Sequence, residues 1–248
     1  MSIFISVITR WYNEEFFAPF FLNHYCPWAD EVIVLLEKNT KDNCRSVIKK
    51  YPNARYEFVE TEEKLNDRIL SDILSDLAMS LKSDWVIRAD ADEYTFPKGF
   101  GNPRESLEKA DGNVINNWYR WVYRHYTEKD LDPSLPTVPQ RRHGGAYTIW
   151  KGMGDKYLKP TIVKPEVGVR WYPGDQRIHA NNKVIISSTV WDGVHWQMAD
   201  VEHAIKRNHK NESRLSEENI KNNWGVKKFT PEMIRKECES HLHDPQVV

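Results

Sequence analysis

The sequence predicts an α/β fold: a mostly parallel sheet flanked by helices, with a helical C-terminal region. Three observations carry this. Over the first 95 residues, short apolar runs alternate with helical segments in β-α-β-α-β-α-β order, the pattern of a parallel sheet covered on both faces. The residues able to do chemistry fall just past the strand ends, where such sheets bind ligands. From residue 199 onward the signals are helical. A chain of 248 residues suits one large domain, or one domain with an extension, and 40% apolar content is enough for a real core.

Residues 3–8 form a β-branched apolar run, read as a buried strand. A helix is expected over 14–25, with Asn13 as N-cap, acidic residues in its first turn and a break or kink at Pro19. The second strand is 31–36, followed by the polar turn 38–41. A short helix begins at Asp42, and 55–59 is the third strand. The clearest helix is 63–81, where Leu65, Ile69, Ile73, Leu77 and Leu81 recur every four residues and are expected to face a core. Residues 84–88 are the fourth strand. Past Phe96 the pattern loosens: 113–123 and 183–188 read as strands, and 127–154 as a long loop or lid. Helices are expected at 199–207, 213–222 and 231–240, the last capped by Thr230 with Pro231 at its first position.

The net charge of −1 argues against a dedicated DNA binder, though a local patch could still hold a nucleic-acid substrate. No leader or membrane anchor is read at the N-terminus, so no integral membrane association is expected. Cys26, Cys44 and Cys238 are far apart and form no CxxC pair, which fits a reducing, cytoplasmic setting. Most of the ten tryptophans are expected in the core; a few indole faces would serve stacking on sugars or bases.

The chemistry centres on residues 84–93, where Asp90, Asp92 and Glu93 follow an apolar strand. Carboxylates so close repel one another unless a cation sits among them. Hard divalent ions prefer such oxygen ligands and complete their shell with substrate phosphates. Two aspartates separated by one residue point the same way if the backbone stays extended, so that one can bind an ion while the other reaches a ribose or a water. The bland alternative is a solvated acidic turn.

Ser6-Val7-Ile8-Thr9-Arg10, Asn13-Glu14-Glu15, Glu37 to Asp42, and Asp84-Trp85-Val86-Ile87 leading into Asp90-Ala91-Asp92-Glu93 together resemble family-2-type glycosyltransferases of the Rossmann-like GT-A fold, in the group with a DxDE signature. The resemblance covers about the first 95 residues well and the rest loosely. It implies a metal-dependent transferase that moves a sugar from a nucleotide-diphosphate donor, UDP by default, to an acceptor hydroxyl, with inversion. It implies a Mn²⁺ or Mg²⁺ ion bound by Asp92, with Asp90 contacting the donor ribose or the ion's shell. Thr9 and Arg10 would line the nucleotide site. Glu37 stands where the family usually has an aspartate that reads the base, and Arg68 and Asp72 lie on the helix that flanks it. His195 is the best match for a later histidine ligand, with His179 and His209 as competitors. Lys206, Arg207, Lys210 and Arg214 could neutralise the leaving diphosphate or form a solvated helix face. The family's Glu-Asp motif for the catalytic base has no clean copy; Asp175 is the nearest candidate and Asp192 the second. By the same resemblance, 1–95 is the nucleotide-sugar-binding half, 96–198 the acceptor-binding and catalytic half, and 199–248 a helical extension. The acceptor is open among saccharide, lipid-linked glycan, protein and modified nucleic-acid base. Competing readings are a nucleotidyltransferase, disfavoured because Thr9 to Asn13 contain no glycine for a phosphate loop, and a non-catalytic carbohydrate-binding protein, which would not need the acidic cluster.

Overall fold

The computed structural model describes residues 3–146, 156–173, 177–225 and 229–248. Its first half runs β1 (Ile5–Trp11), α1 (Ala18–Tyr25), β2 (Glu31–Glu37), α2 (Cys44–Ile48), β3 (Ala54–Val59), α3 (Asp67–Ser80) and β4 (Trp85–Arg88). There follow β5 (Glu93–Pro97), α4 (Pro103–Glu108), β6 (Val114–Tyr123), β7 (Lys156–Val163), β8 (Val169–Trp171), β9 (Ile178–Ala180) and β10 (Trp191–Met198). Helices α5 (Val201–Glu212), α6 (Glu217–Asn222) and α7 (Pro231–Ser240) close the chain. Eight strands form one sheet in the order β3-β2-β1-β4-β7-β6-β10-β5, and β8 pairs with β9 alone. This is the α/β, Rossmann-like GT-A architecture expected.

The first four strands are all parallel, as read from the sequence. Alternate residues feed two cores: Ile5, Val7, Val32 and Val34 pack on one face, and Ile8, Ile33, Leu35 and Val86 on the other. A sheet buried on both faces needs such continuous apolar strands. The second half inserts antiparallel strands. β7 runs against both β4 and β6, so its N-terminal end lies beside their carboxyl ends. β10 is parallel to β6 and antiparallel to β5. One edge of the sheet therefore collects the ends of β1, β2, β4, β6 and β10 and the start of β7.

Several elements differ from expectation. α1 starts at Ala18 with Pro19 in its first turn, so the proline opens the helix and does not kink it. Asn13 does not cap it: at φ 51° its Oδ1 accepts from the Lys41 and Asp42 amides, bracing two loops together. α3 begins only after Glu62 and Glu63, both at positive φ, and Asn66 caps it. Its buried line is Leu70, Ser71, Leu74, Ser75 and Ala78, while Ile69 is 46% exposed. A four-residue repeat advances about 40° per step on a helix, so the stripe runs along the margin of the buried line: Leu65, Ile73, Leu77 and Leu81 pack half-buried against the core and only Ile69 leaves it. Residues 183–188 are not a strand. Backbone bonds between Val114 and both Ile185 and Ser187 make a single bridge from Ile186 to Val114, and beyond it the Asn113 and Asp111 side chains accept the Ile185 and Ser188 amides. The described part of the expected lid is anchored, since Arg141 is buried and donates to the Ala199 carbonyl at 2.9 Å. Residues 147–154, with Trp150, lie outside the described residues. Among those described, no helix is long and apolar enough to cross a membrane.

Candidate active site

A cavity of about 230 Å³ opens on the edge where those strand ends meet. Arg10, Glu37, Asp90, Asp92 and His195 all line it. Arg10 leaves the end of β1 and bonds Asp67 at 2.8 Å. Asp67 opens α3 and is held in turn by Asn219 of α6 at 3.0 Å, which ties the C-terminal helices to the first strand. Glu37 ends β2, is buried, and accepts from Thr61 at 2.6 Å and from Arg214. The Arg214 guanidinium lies 3.3 Å from the centre of the Tyr12 ring, a stacked cation on an aromatic face.

Past β4 the chain turns sharply and is not extended: the Glu93 amide donates to the Asp90 carbonyl at 2.9 Å. Both aspartates still face the cavity. Glu93 turns away from it and serves as an internal brace, accepting from the Asp90 amide at 3.3 Å, from Tyr157 at 3.2 Å and from Lys159. Burial pushes the Asp90 carboxyl up, but the charges of Lys159, Arg10 and Arg88 outweigh it and hold the group below its ordinary value. Burial opposes ionisation of Asp92 as well. Arg207 and His195 outweigh it there and hold Asp92 far below the carboxylate range.

His195 comes from β10, with Nε2 3.0 Å from Asp92 Oδ2 and Nδ1 2.8 Å from the Tyr157 hydroxyl. The Trp121 indole stacks on the imidazole at 4.3 Å. Tyr157 fixes the tautomer by what it does with its single proton. If it donates to Nδ1, Nε2 carries the hydrogen to Asp92. If it donates to Glu93, it accepts from Nδ1–H and leaves the Nε2 lone pair bare, the form a metal ligand needs.

The donor chemistry fits a divalent ion. Asp92 Oδ2 and His195 Nε2, 3.0 Å apart, are oxygen and nitrogen donors of the kind such an ion accepts. Among the described residues no group of three or more His, Cys, Asp or Glu is placed to hold an ion. The protein thus offers this pair, with Asp90 beside it, and phosphate oxygens would complete the shell.

The other sequence candidates lie elsewhere. Thr9 is buried inside β1 and does not line the cavity. Arg68 pairs with Glu218 at 2.7 Å, and Asp72 lies 3.8 Å from Arg170, both on the outward side of α3; the inward side presents Asp67 and Leu70 to the cavity. Asp192 stands an odd number of residues from His195. It therefore points to the opposite face of β10, shared with Val194 and Trp196 in the core, and does not line the cavity. His179 and His209 are exposed away from it, and Asp175 lies outside the described residues. Of the four basic residues, Lys206 is exposed, whereas Arg207, Lys210 and Arg214 turn inward at helical spacing. Tyr157, Lys159 and Asp67 were missed. β7 carries a proline and faint alternation, and Asp67 had no signal beyond its place near a helix start.

No protein-family model matches the chain, and no curated protein matches it. Solved structures do overlay. Residues 1–349 of TarS from S. aureus align with a TM-score of 0.45 at 14% identity, over 96% of this chain and 71% of that one. A mycobacterial protein aligns with a TM-score of 0.44 at 14% identity, over 88% and 77%. Glucosyl-3-phosphoglycerate synthase from Mycobacterium tuberculosis, in complex with Mn²⁺, UDP and glucosyl-3-phosphoglycerate, aligns with a TM-score of 0.33 at 20% identity. That last overlap covers 48% of this chain and 44% of the synthase. Likeness at this level does not carry a function to the present chain.

Proposed function

We propose that the protein is a glycosyltransferase that moves a sugar from a nucleoside-diphosphate donor, UDP in the first instance, to an acceptor hydroxyl with inversion. The observation that supports this most is the Asp92–His195 pair, 3.0 Å apart at the outlet of β4, with Arg10, Lys159 and Arg207 around it in one cavity. The acceptor oxygen bonds to the anomeric carbon as the bond from that carbon to the diphosphate oxygen breaks. The electron pair leaves with the diphosphate, and the hydroxyl proton passes to a carboxylate base.

Arg10 and Lys159 face the developing charge as fixed cations in a partly enclosed site, where such charges act most strongly. Asp92 and His195 would hold a Mn²⁺ or Mg²⁺ ion, which when bound supplies Lewis-acid neutralisation of the leaving diphosphate. Tyr157 and Glu93 keep His195 in the ligating tautomer, Asp90 takes the ribose, and Glu37 with Tyr12 takes the base end. Asp175 is the base in this reading; Asp192 faces the core side of its strand. The test is calorimetry with UDP and Mn²⁺ followed by UDP release from UDP-sugars, with and without acceptors. Tight UDP binding and release lost in Asp92→Asn are expected; a protein that binds no nucleotide under any metal condition overturns the proposal.

A further inference from the structure

The Asp92 carboxylate already holds a cation of the protein's own. Arg207 projects from α5 and lays its guanidinium along Asp92, with Nη1 2.5 Å from Oδ2 and Nη2 3.2 Å from Oδ1. This two-pronged fit is what a planar guanidinium makes with a carboxylate, and equally with a phosphate. The third nitrogen is also used: Nε donates to Glu14 Oε1 at 3.3 Å. Glu14 sits in the loop after β1 and is held by Lys210, whose ammonium bonds it at 2.8 Å and donates to the Tyr12 and Asn13 carbonyls. Beneath the guanidinium lies the Phe17 ring, at 5.5 Å. Arg207 is thus clamped between two carboxylates on different walls of the cavity.

The oxygen that Arg207 grips, Asp92 Oδ2, is the one 3.0 Å from His195 Nε2. A divalent ion shared by that oxygen and that nitrogen would meet a permanent positive charge on the same carboxylate, and one of the two must yield. A bare ion offers the guanidinium no compensation for leaving. A diphosphate does, because its oxygens accept the same pair of N–H donors.

We infer that Arg207 is a latch on the cation position, shutting out bare divalent ions and moving from Asp92 to the diphosphate when nucleotide and ion arrive together. The inference rests on the donor-site reading above. It makes ion binding depend on nucleotide, and leaves the same guanidinium on the leaving group as a counter-charge.

The test is Mn²⁺ binding to the intact protein, followed by the electron paramagnetic resonance signal of free Mn²⁺, with the metal alone and then with UDP. Wild-type protein should bind bare Mn²⁺ poorly and bind it much more tightly with UDP. Arg207→Gln should bind bare Mn²⁺ at least about tenfold more tightly than wild type, and UDP should then add little. Arg207→Met, which keeps the side-chain stem beside Phe17 and removes the guanidinium, should shift bare Mn²⁺ affinity the same way; it decides the matter if Arg207→Gln does not fold. Bare-metal affinity unchanged in a folded variant overturns the latch. Tightening by the substitution, with wild-type Mn²⁺ binding unchanged by UDP, keeps the exclusion of bare ions and overturns the nucleotide reading instead.

Discussion

The strands of the first half and helix α5 both face the cavity, yet they fill it by different means. Glu37, Asp90 and Asp92 are short side chains at strand outlets, Glu37 on the ladder of β2 with β3 and the two aspartates in the tight turn after β4. Arg207 and Lys210 are long side chains from a helix edge, reaching across to the carboxylates of Asp92 and Glu14 on the other wall. A short acid has little freedom, whereas a long base on a helix can change partner without moving its backbone. The site therefore combines an acidic floor of short side chains with a basic wall of long ones.

The sharpest way to break that contrast is at the floor. Asp92→Asn should lower donor turnover by about a thousandfold, measured as UDP release, because it removes the group that places the cation. It should also cost about 3 kcal/mol of stability in urea unfolding, since Asp92 is buried and leaves Arg207 short of its partner. Next comes the support behind the floor. His195→Ala should weaken Mn²⁺ binding in the presence of UDP by about a hundredfold, and Tyr157→Phe by about tenfold, the latter leaving the ring packing intact. Equal metal titrations in all three proteins would remove His195 and Tyr157 from the site.

The docking of each region can be probed with acid. His24 of α1 donates to the Thr95 carbonyl at 2.9 Å, and burial brings it down to about 4 from 6.5. His203 of α5 stacks on Phe16 at 3.9 Å; burial, then Arg207, brings it to about 4 as well. Both are neutral when folded, and the unfolded chain takes up more protons between those values. Stability is thus complete above about pH 6.5 and falls as the pH drops toward 4, by at most about 3 kcal/mol for each group. Urea midpoints across that range should show the slope, and His203→Gln should flatten it. The smallest effect belongs to the outward side of α3: Arg68→Ala and Asp72→Ala should change turnover by less than about twofold and stability by less than about 1 kcal/mol.

The floor was legible in the sequence and the wall only in part. β1, β2 and β4 are short apolar runs suited to buried strands, and residues just past them fall at a predictable edge, so Arg10, Glu37, Asp90 and Asp92 followed, while Thr9, read at the same edge, is buried within β1. The second half defeats such reading because its strands mix directions. β10, Trp-Asp-Gly-Val-His-Trp-Gln-Met, looks like the approach to a helix, and until it is known to be a strand nothing separates Asp192 from His195. Once it is, parity sends one to the core and the other to the cavity. The basic residues after His195 were visible as a group, but only the phase of α5 distinguishes inward Arg207 from exposed Lys206.

The balance of groups around the cavity also bears on how a ligand arrives. Among the described residues its lining carries six carboxylates (Glu14, Glu37, Asp67, Asp90, Asp92 and Glu212) and four permanent cations (Arg10, Lys159, Arg207 and Arg214). Lys210 stands against Glu14 and Arg88 near Asp90, so the carboxylates are closely matched by cations and a diphosphate would meet little net field on its approach. Raising the ionic strength should then change its encounter rate little, unlike the slowing seen where a basic cleft steers an anion inward.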